Sequence, residues 1–160
     1  MALTLRPVDL DFFAAAPQRF DFVETVDAPI DAVFAAISAD PSTWSWFPGL
    51  DEGRYESEPP HGAGSRRYVR MGDWWYRETL LAFDSPTRWA YRIDETTSPL
   101  FAALAEDWRL EADGDTTNVR WVFAFEPAGG PDAIDLSAID TVIGPVFGEA
   151  MAGLSKALAG

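Results

Sequence analysis

From residue 52 to residue 127 apolar and polar residues alternate with period two, broken at PPHGAG, MGD, DSP, TTSP and ADGD. Each break carries the glycine, proline or aspartate chemistry that reverses a chain. Side chains on a strand point alternately to opposite faces, so the pattern predicts six strands, near 52–58, 65–71, 74–83, 88–95, 103–112 and 117–126. Parallel crossovers need about a dozen residues or more, so connections this short predict antiparallel hairpins.

The flanks add a strand and helices. RFDFVETVD (19–27) combines alternation with β-branched and aromatic residues and reads as a further strand. In APIDAVFAAIS (28–38), Pro29 stands at a helix start and Ile30, Val33, Phe34 and Ile37 fall on one face. Asp40 and Pro41 stop that helix, Ser42 is positioned to cap a short second helix through Trp46, and FPGL turns the chain. Toward the end, Ile139, Val142, Ile143, Val146, Phe147, Met151, Leu154 and Leu158 form one helical stripe. Pro145 interrupts it and removes an interior hydrogen bond at a cost of about 3 kcal/mol, which predicts a kink or a fresh helix starting there. At 160 residues one core suffices. Residues 1–18 read as a loosely ordered leader and 19–160 as a single domain.

Composition narrows the function classes. A net charge of -14 opposes binding to nucleic acid or anionic membranes, because phosphate recognition needs clustered Lys and Arg. The absence of cysteine removes disulfides, thiolate metal sites and a Cys nucleophile. Asp9 and Asp11 interrupt what a secretory segment would keep apolar, and no apolar run approaches the roughly 18 residues of a membrane span, so a cytoplasmic protein without membrane insertion is expected. Seven Trp among 14% aromatics are the unusual feature. Each ring buries about 150–250 Å², so the chain has much flat apolar surface to place.

One strand, two short helices, six strands and a long helix describe an α+β chain in which a curved, seven-stranded antiparallel sheet wraps around a C-terminal helix. VDAPIDAVFAAISADPSTWSWFPGL, the loop HGAGSRR, RETLLAFDSPTRWAY and GDTTNVRWVFAFEP resemble the polyketide cyclase/dehydrase branch of the START-related (SRPBCC) superfamily, which includes the major birch pollen allergen. The resemblance covers most of 19–158 and implies a helix-grip fold. For function it implies less, since such folds serve lipid carriers, hormone receptors, cyclases and chaperone activators.

The glycines of HGAG (61–64) lack a Walker-type lysine and precede a strand, so they read as a turn. His61, the single histidine, sits beside two prolines in a polar loop and reads as exposed. No spacing implies a metal, nucleotide or flavin, and no cofactor is expected.

Strand periodicity alone does not choose which face of 74–83 turns inward. Similarity to the birch allergen pattern implies that Tyr76 and Glu78 do, with Leu80 and Ala82 following. The same resemblance turns in Arg67, Val69 and Met71, then Trp89, Tyr91 and Ile93, then Leu104, Glu106, Trp108 and Leu110, then Val119, Trp121, Phe123 and Phe125. Phe147 and Met151 of the terminal stripe are assigned to the same cavity. The candidate ligand-binding set is therefore Arg67, Val69, Met71, Tyr76, Glu78, Trp89, Tyr91, Glu106, Trp108, Trp121, Phe123, Phe147 and Met151.

An unpaired carboxylate among such rings loses several kcal/mol of solvation. Glu78 then pairs with Arg67, takes up a proton, or keeps water for a ligand. The alternative makes Glu78 and Glu106 rim residues in cross-strand ion pairs with Arg67, Arg77 or Arg109. Inward carboxylates either orient the polar end of a hydrophobic ligand or act as general acid and base, with Glu78 and Glu106 catalytic and Tyr76 and Tyr91 donating to a developing enolate. Trp44, Trp46 and Phe47 either close a mouth or fill space beneath the terminal helix. Either outward ring, Trp75 or Phe83, offers a contact for a homodimer.

The primary expectation is a binder of a small hydrophobic or aromatic molecule, lipid- or polyketide-like, in a cavity between sheet and C-terminal helix. A polyketide cyclase or dehydratase is the first alternative. A protein-interaction domain of the chaperone-activator kind, with a filled core and an exposed apolar patch, is the second.

Overall fold

The computed structural model describes residues 1–159. The strands are β1 (Leu3–Thr4), β2 (Gln18–Val26), β3 (Glu52–Tyr55), β4 (Arg66–Met71), β5 (Trp74–Asp84), β6 (Arg88–Thr96), β7 (Phe101–Asp113) and β8 (Thr116–Pro127). The helices are α1 (Phe12–Ala15), α2 (Ile30–Ser38) and α3 (Leu136–Leu158). Seven strands lie in the order β2-β8-β7-β6-β5-β4-β3, all neighbours antiparallel, and β1 joins as an eighth by pairing with β6. Two-residue turns set the tight hairpins: Gly72 and Gly114 each adopt φ of 62°, a left-handed conformation that glycine enters without a steric penalty. The helix-grip arrangement is thus present, with the concave face of the sheet turned toward α3.

One face of each strand feeds the main core. Trp89, Trp108, Phe125, Ile37, Phe147 and Leu154 are essentially inaccessible to solvent. The inward set on β4, β6, β7 and β8 follows the expected phase, but β5 departs from it. Leu80 pairs with Tyr91 and Ala82 with Ala90, so Leu81 is an extra residue, and such a bulge reverses the alternation beyond it. Ala82, expected inward, packs on the outer cluster, and Phe83, expected outward, meets Phe34 edge-on at 5.5 Å. Of the two rings expected to offer a homodimer contact, Phe83 is therefore turned to the core side.

α3 is one continuous helix through Pro145, so no fresh helix starts there, and Asp135 caps it by accepting from Ser137 and Ala138. Its two halves differ. Phe147, Ala150, Met151 and Leu154, all beyond the proline, are buried, whereas Val142 is 62% exposed. The short helix expected from Ser42 to Trp46 is instead a three-residue 3-10 turn, Pro41–Thr43. Asp40, not Ser42, caps it, and Trp44 has already returned to extended backbone.

Within residues 1–18, expected to be loosely ordered, Leu3–Arg6 hydrogen-bond into the sheet and Val8, Phe12 and Phe13 pack upon it. β6 and β7 pair only from Arg88 to Arg92 on the β6 side, and beyond that point the leader bridges both strands. Leu5 N–H donates to Asp94 at 2.9 Å and Arg6 N–H donates to Ala102 at 2.9 Å. Leu5 reaches the main core, while Val8, Phe12 and Phe13 cover the convex face over Ala82, Ala90, Ala103, Ala105 and Ala124. Small outward residues let α1 lie close to the sheet. No helix among the described residues is long and apolar enough to cross a membrane.

Candidate functional site

Between the concave face and the first half of α3 lies a cavity of about 430 Å³. Arg67, Val69 and Met71 line it from β4, Tyr76 and Glu78 from β5, and Tyr91 from β6. Leu104, Glu106 and Trp108 line it from β7, and Trp121 and Phe123 from β8. Ile139, Val142, Ile143 and Val146 of α3 form its roof. Trp74, Leu100 and Val142 border the cavity and are also among the exposed large apolar residues, so the mouth opens between the start of β5, the β6–β7 connection and α3.

Ten of the thirteen candidate residues thus share this wall, and three do not. Trp89 lies behind the wall, fully buried, with the Arg67 guanidinium carbon 4.5 Å from its ring centre. Phe147 is wedged among Phe22, Trp108 and Trp121, with ring centres 5.3–6.0 Å apart. Met151 belongs to the packed core. The last two sit on the same stripe as Ile139 and Ile143, but from Phe147 onward α3 packs closely on the sheet and leaves no hollow there. Phe101 was missed because β7 begins earlier than the alternation suggested, and Ser98 and Leu100 because they lie in the β6–β7 connection, outside any strand. The Trp44 cluster divides: Trp44 and Phe47 line the cavity, and Trp46 packs into the core. His61 is half-buried rather than exposed, stacked on Tyr55 with ring centres 3.7 Å apart.

The polar groups of the wall are few and deeply placed. Arg67 and Glu78 are 1% and 3% exposed, so the rim reading does not hold for this pair. Arg67 donates from both Nε, at 2.7 Å, and Nη2 to Glu78 Oε2. The rings of Trp44, Trp89 and Tyr91 enclose the guanidinium at 4.5–5.0 Å, where cation–π attraction adds to the ion pair. Burial pushes the Glu78 carboxyl up, and the Arg67 charge and its hydrogen bonds oppose that push.

Glu106 is also buried, and Trp121 Nε1 donates to its Oε1 at 2.9 Å. Burial, and after it the nearby Glu78 charge, raise Glu106 to about 8, so at neutral pH it is mostly a neutral acid. Tyr76 is raised to about 12, by burial first and then by Glu106 and Glu78. Burial likewise holds the Tyr91 phenol well above its ordinary range. The wall is therefore an apolar surface bearing one paired cation, its carboxylate, one neutral acid and two neutral phenols. Among the described residues the buried side-chain polar atoms with no protein partner are Arg67 Nη1 and the indole Nε1 of Trp44, Trp89 and Trp108, all of them donors. Among the described residues no group of three or more His, Asp or Glu side chains is arranged to hold a metal.

A family model described as polyketide cyclase/dehydrase and lipid transport matches residues 17–159. An uncharacterized protein of Mycobacterium tuberculosis is 32% identical over 130 residues, spanning 76% of this chain and 74% of that protein. Among solved structures, a START superfamily protein from Mycobacterium smegmatis superposes with a TM-score of 0.72 at 10% identity, covering 88% of this chain and 97% of that one. The Zhui aromatase/cyclase from Streptomyces sp. R1128 gives 0.65 at 18% identity, covering 89% and 93%. At these identities the two structures bear on fold alone.

Proposed function

The chain belongs to the polyketide cyclase/dehydrase and lipid transport family, and we propose that within it this protein binds a small hydrophobic or aromatic molecule, lipid- or polyketide-like, in the internal cavity. The observation that carries the reading is a hollow of about 430 Å³, walled by rings and aliphatic groups, with a buried Arg67–Glu78 pair and Glu106 as its convergent polar groups. Pockets of this size with a few placed polar groups suit small-molecule ligands. A hollow is also what a pure protein-interaction domain with a filled core would lack. The test is uptake of the neutral fluorophore N-phenyl-1-naphthylamine by the folded protein, alongside native mass spectrometry of the freshly purified chain. Saturable uptake, lost when Leu104→Trp fills the cavity in a folded variant, supports binding. No uptake and no co-purified mass would overturn it.

The second reading, a cyclase or dehydratase, is favoured by Glu106, a neutral acid at pH 7 in the same wall as two phenols. Such an acid can protonate an oxygen during aldol closure or water loss. If Glu106 serves so, Glu106→Gln abolishes turnover of a poly-β-ketone and leaves its affinity nearly intact. Unchanged turnover would rule out that role.

A further inference from the structure

The unpaired buried atoms have one chemical sense. Arg67 Nη1, Trp44 Nε1 and Trp108 Nε1 belong to residues that line the cavity, and all three donate. Trp89 Nε1, the fourth such atom, is on a residue behind the wall. A buried donor without an acceptor is costly, and a ligand that brings acceptors removes that cost.

Charge gives a second constraint. The formal cation in the wall is Arg67, and Glu78 already takes two of its N–H groups on a single oxygen. A second carboxyl group, Glu106, stands in the same wall. An ionised carboxylate ligand would enter a low-dielectric space beside two acids and one guanidinium already shared. An ammonium ligand would meet that guanidinium, would find the Glu78 charge already committed to Arg67, and would have to ionise the buried, neutral Glu106 to gain an anionic partner of its own. Neither ion recovers the several kcal/mol of solvation it gives up.

We propose that the cavity selects uncharged ligands bearing carbonyl-type acceptor oxygens, such as aromatic ketones, quinones or lactones, over ionised acids and amines of the same shape. This deepens the binding reading and rests on it. Arg67 Nη1 and Trp108 Nε1 are the acceptor-seeking groups, and the aromatic walls hold the rest of the molecule.

The experiment displaces N-phenyl-1-naphthylamine from the full chain at pH 7 with four naphthalenes of similar size: 2-acetylnaphthalene, 2-isopropylnaphthalene, 2-naphthoate and 1-(2-naphthyl)ethylammonium. The ketone is expected to bind about tenfold more tightly than the hydrocarbon, as one hydrogen bond from a charged donor allows, with both ions weakest. Trp108→Phe removes one donor together with part of the wall, so the readout is the ratio of ketone to hydrocarbon affinity in the same variant, which should fall severalfold. The Arg67→Met/Glu78→Met pair, which leaves no buried charge behind, should abolish the remaining advantage. A hydrocarbon that binds as well as the ketone, or a naphthoate or ammonium that binds better, overturns the selectivity while binding itself stands. Failure of all four probes and of the fluorophore overturns the binding reading as well.

Discussion

Arg67 stands directly opposite Glu78 across the β4–β5 ladder and places two N–H groups on one carboxylate oxygen, leaving Nη1 without a protein partner. Such a pair is worth little against a well-packed apolar substitute, yet removing one member strands the other charge, at about 3–5 kcal/mol. Arg67→Met should therefore lower unfolding free energy by that amount in urea titrations. Arg67→Met combined with Glu78→Met should recover most of the loss. A double replacement as unstable as the single would mean that the pair supplies net stability.

Glu106 makes stability depend on pH in the direction opposite to a salt-bridged carboxylate. Its folded value of about 8 lies above its ordinary 4.5, so between those limits the folded chain holds a proton that the unfolded chain has released. Where the native state binds more protons, stability falls as pH rises. The contribution of Glu106 is fully present below about pH 4.5 and is lost by about pH 8. Glu106→Gln removes this dependence. Relative to the parent it should gain stability progressively from pH 5 to pH 8, by a few kcal/mol at the top, read as a difference between two melting-midpoint profiles. Parallel profiles would place Glu106 in its ordinary range.

The Arg67–Glu78 contact was within reach of the sequence because MGD is a two-residue turn. With Met71 paired to Trp74, counting outward brings Arg67 to Glu78. The same arithmetic carries the inward phase along β6 and β8. It fails at Leu81 on β5 and at Asp94 on β6, where one extra residue each reverses the faces, and no composition signal distinguishes Leu81 from its neighbours. Phe147 and Met151 escaped for a different reason: a helical stripe tells which face is buried, and does not tell whether protein or empty space lies opposite. The leader was misread because Leu5, Val8, Phe12 and Phe13 fall at helical spacing in a segment that is helical only over Phe12–Ala15 and meets the sheet as extended chain before it. Its signal lay elsewhere in the chain, in the alanines at outward positions 90, 103, 105 and 124, a small-residue surface that needs a cover.

That cover is anchored through Leu5, whose side chain is buried in the main core and whose amide bonds to β6 while that of Arg6 bonds to β7. Leu5→Ala should cost about 2–5 kcal/mol, the range for truncating a buried leucine. Native-state hydrogen exchange should show the amides of Leu5 and Arg6 protected in the parent and exposed to local opening in the variant. Fast exchange at both positions in the parent would mean that the leader does not join the sheet.

Two glycines of α3 make opposite predictions from the same substitution. Alanine is favoured over glycine in a helix interior by about 1 kcal/mol, so Gly→Ala is stabilising wherever a methyl group fits. At Gly148 the nearest atom to a new Cβ would be Glu24 Oε1 at 3.8 Å, an ordinary contact, and Gly148→Ala should raise stability by up to about 1 kcal/mol. At Gly153 the Cβ would lie 2.7 Å from the backbone oxygen of Trp46, which cannot rotate away. The end of α3 must then lift from the Trp44–Trp46 segment, and overpacking of this kind costs about 1–3 kcal/mol, more than the helix gains. Because Trp44 lines the cavity, Gly153→Ala should also weaken ligand uptake, whereas Gly148→Ala should leave it unchanged. Paired denaturation and fluorophore titrations separate the two. A Gly153→Ala variant as stable as Gly148→Ala would show that α3 is not seated on Trp46 and that the cavity wall at Trp44 is set by something else.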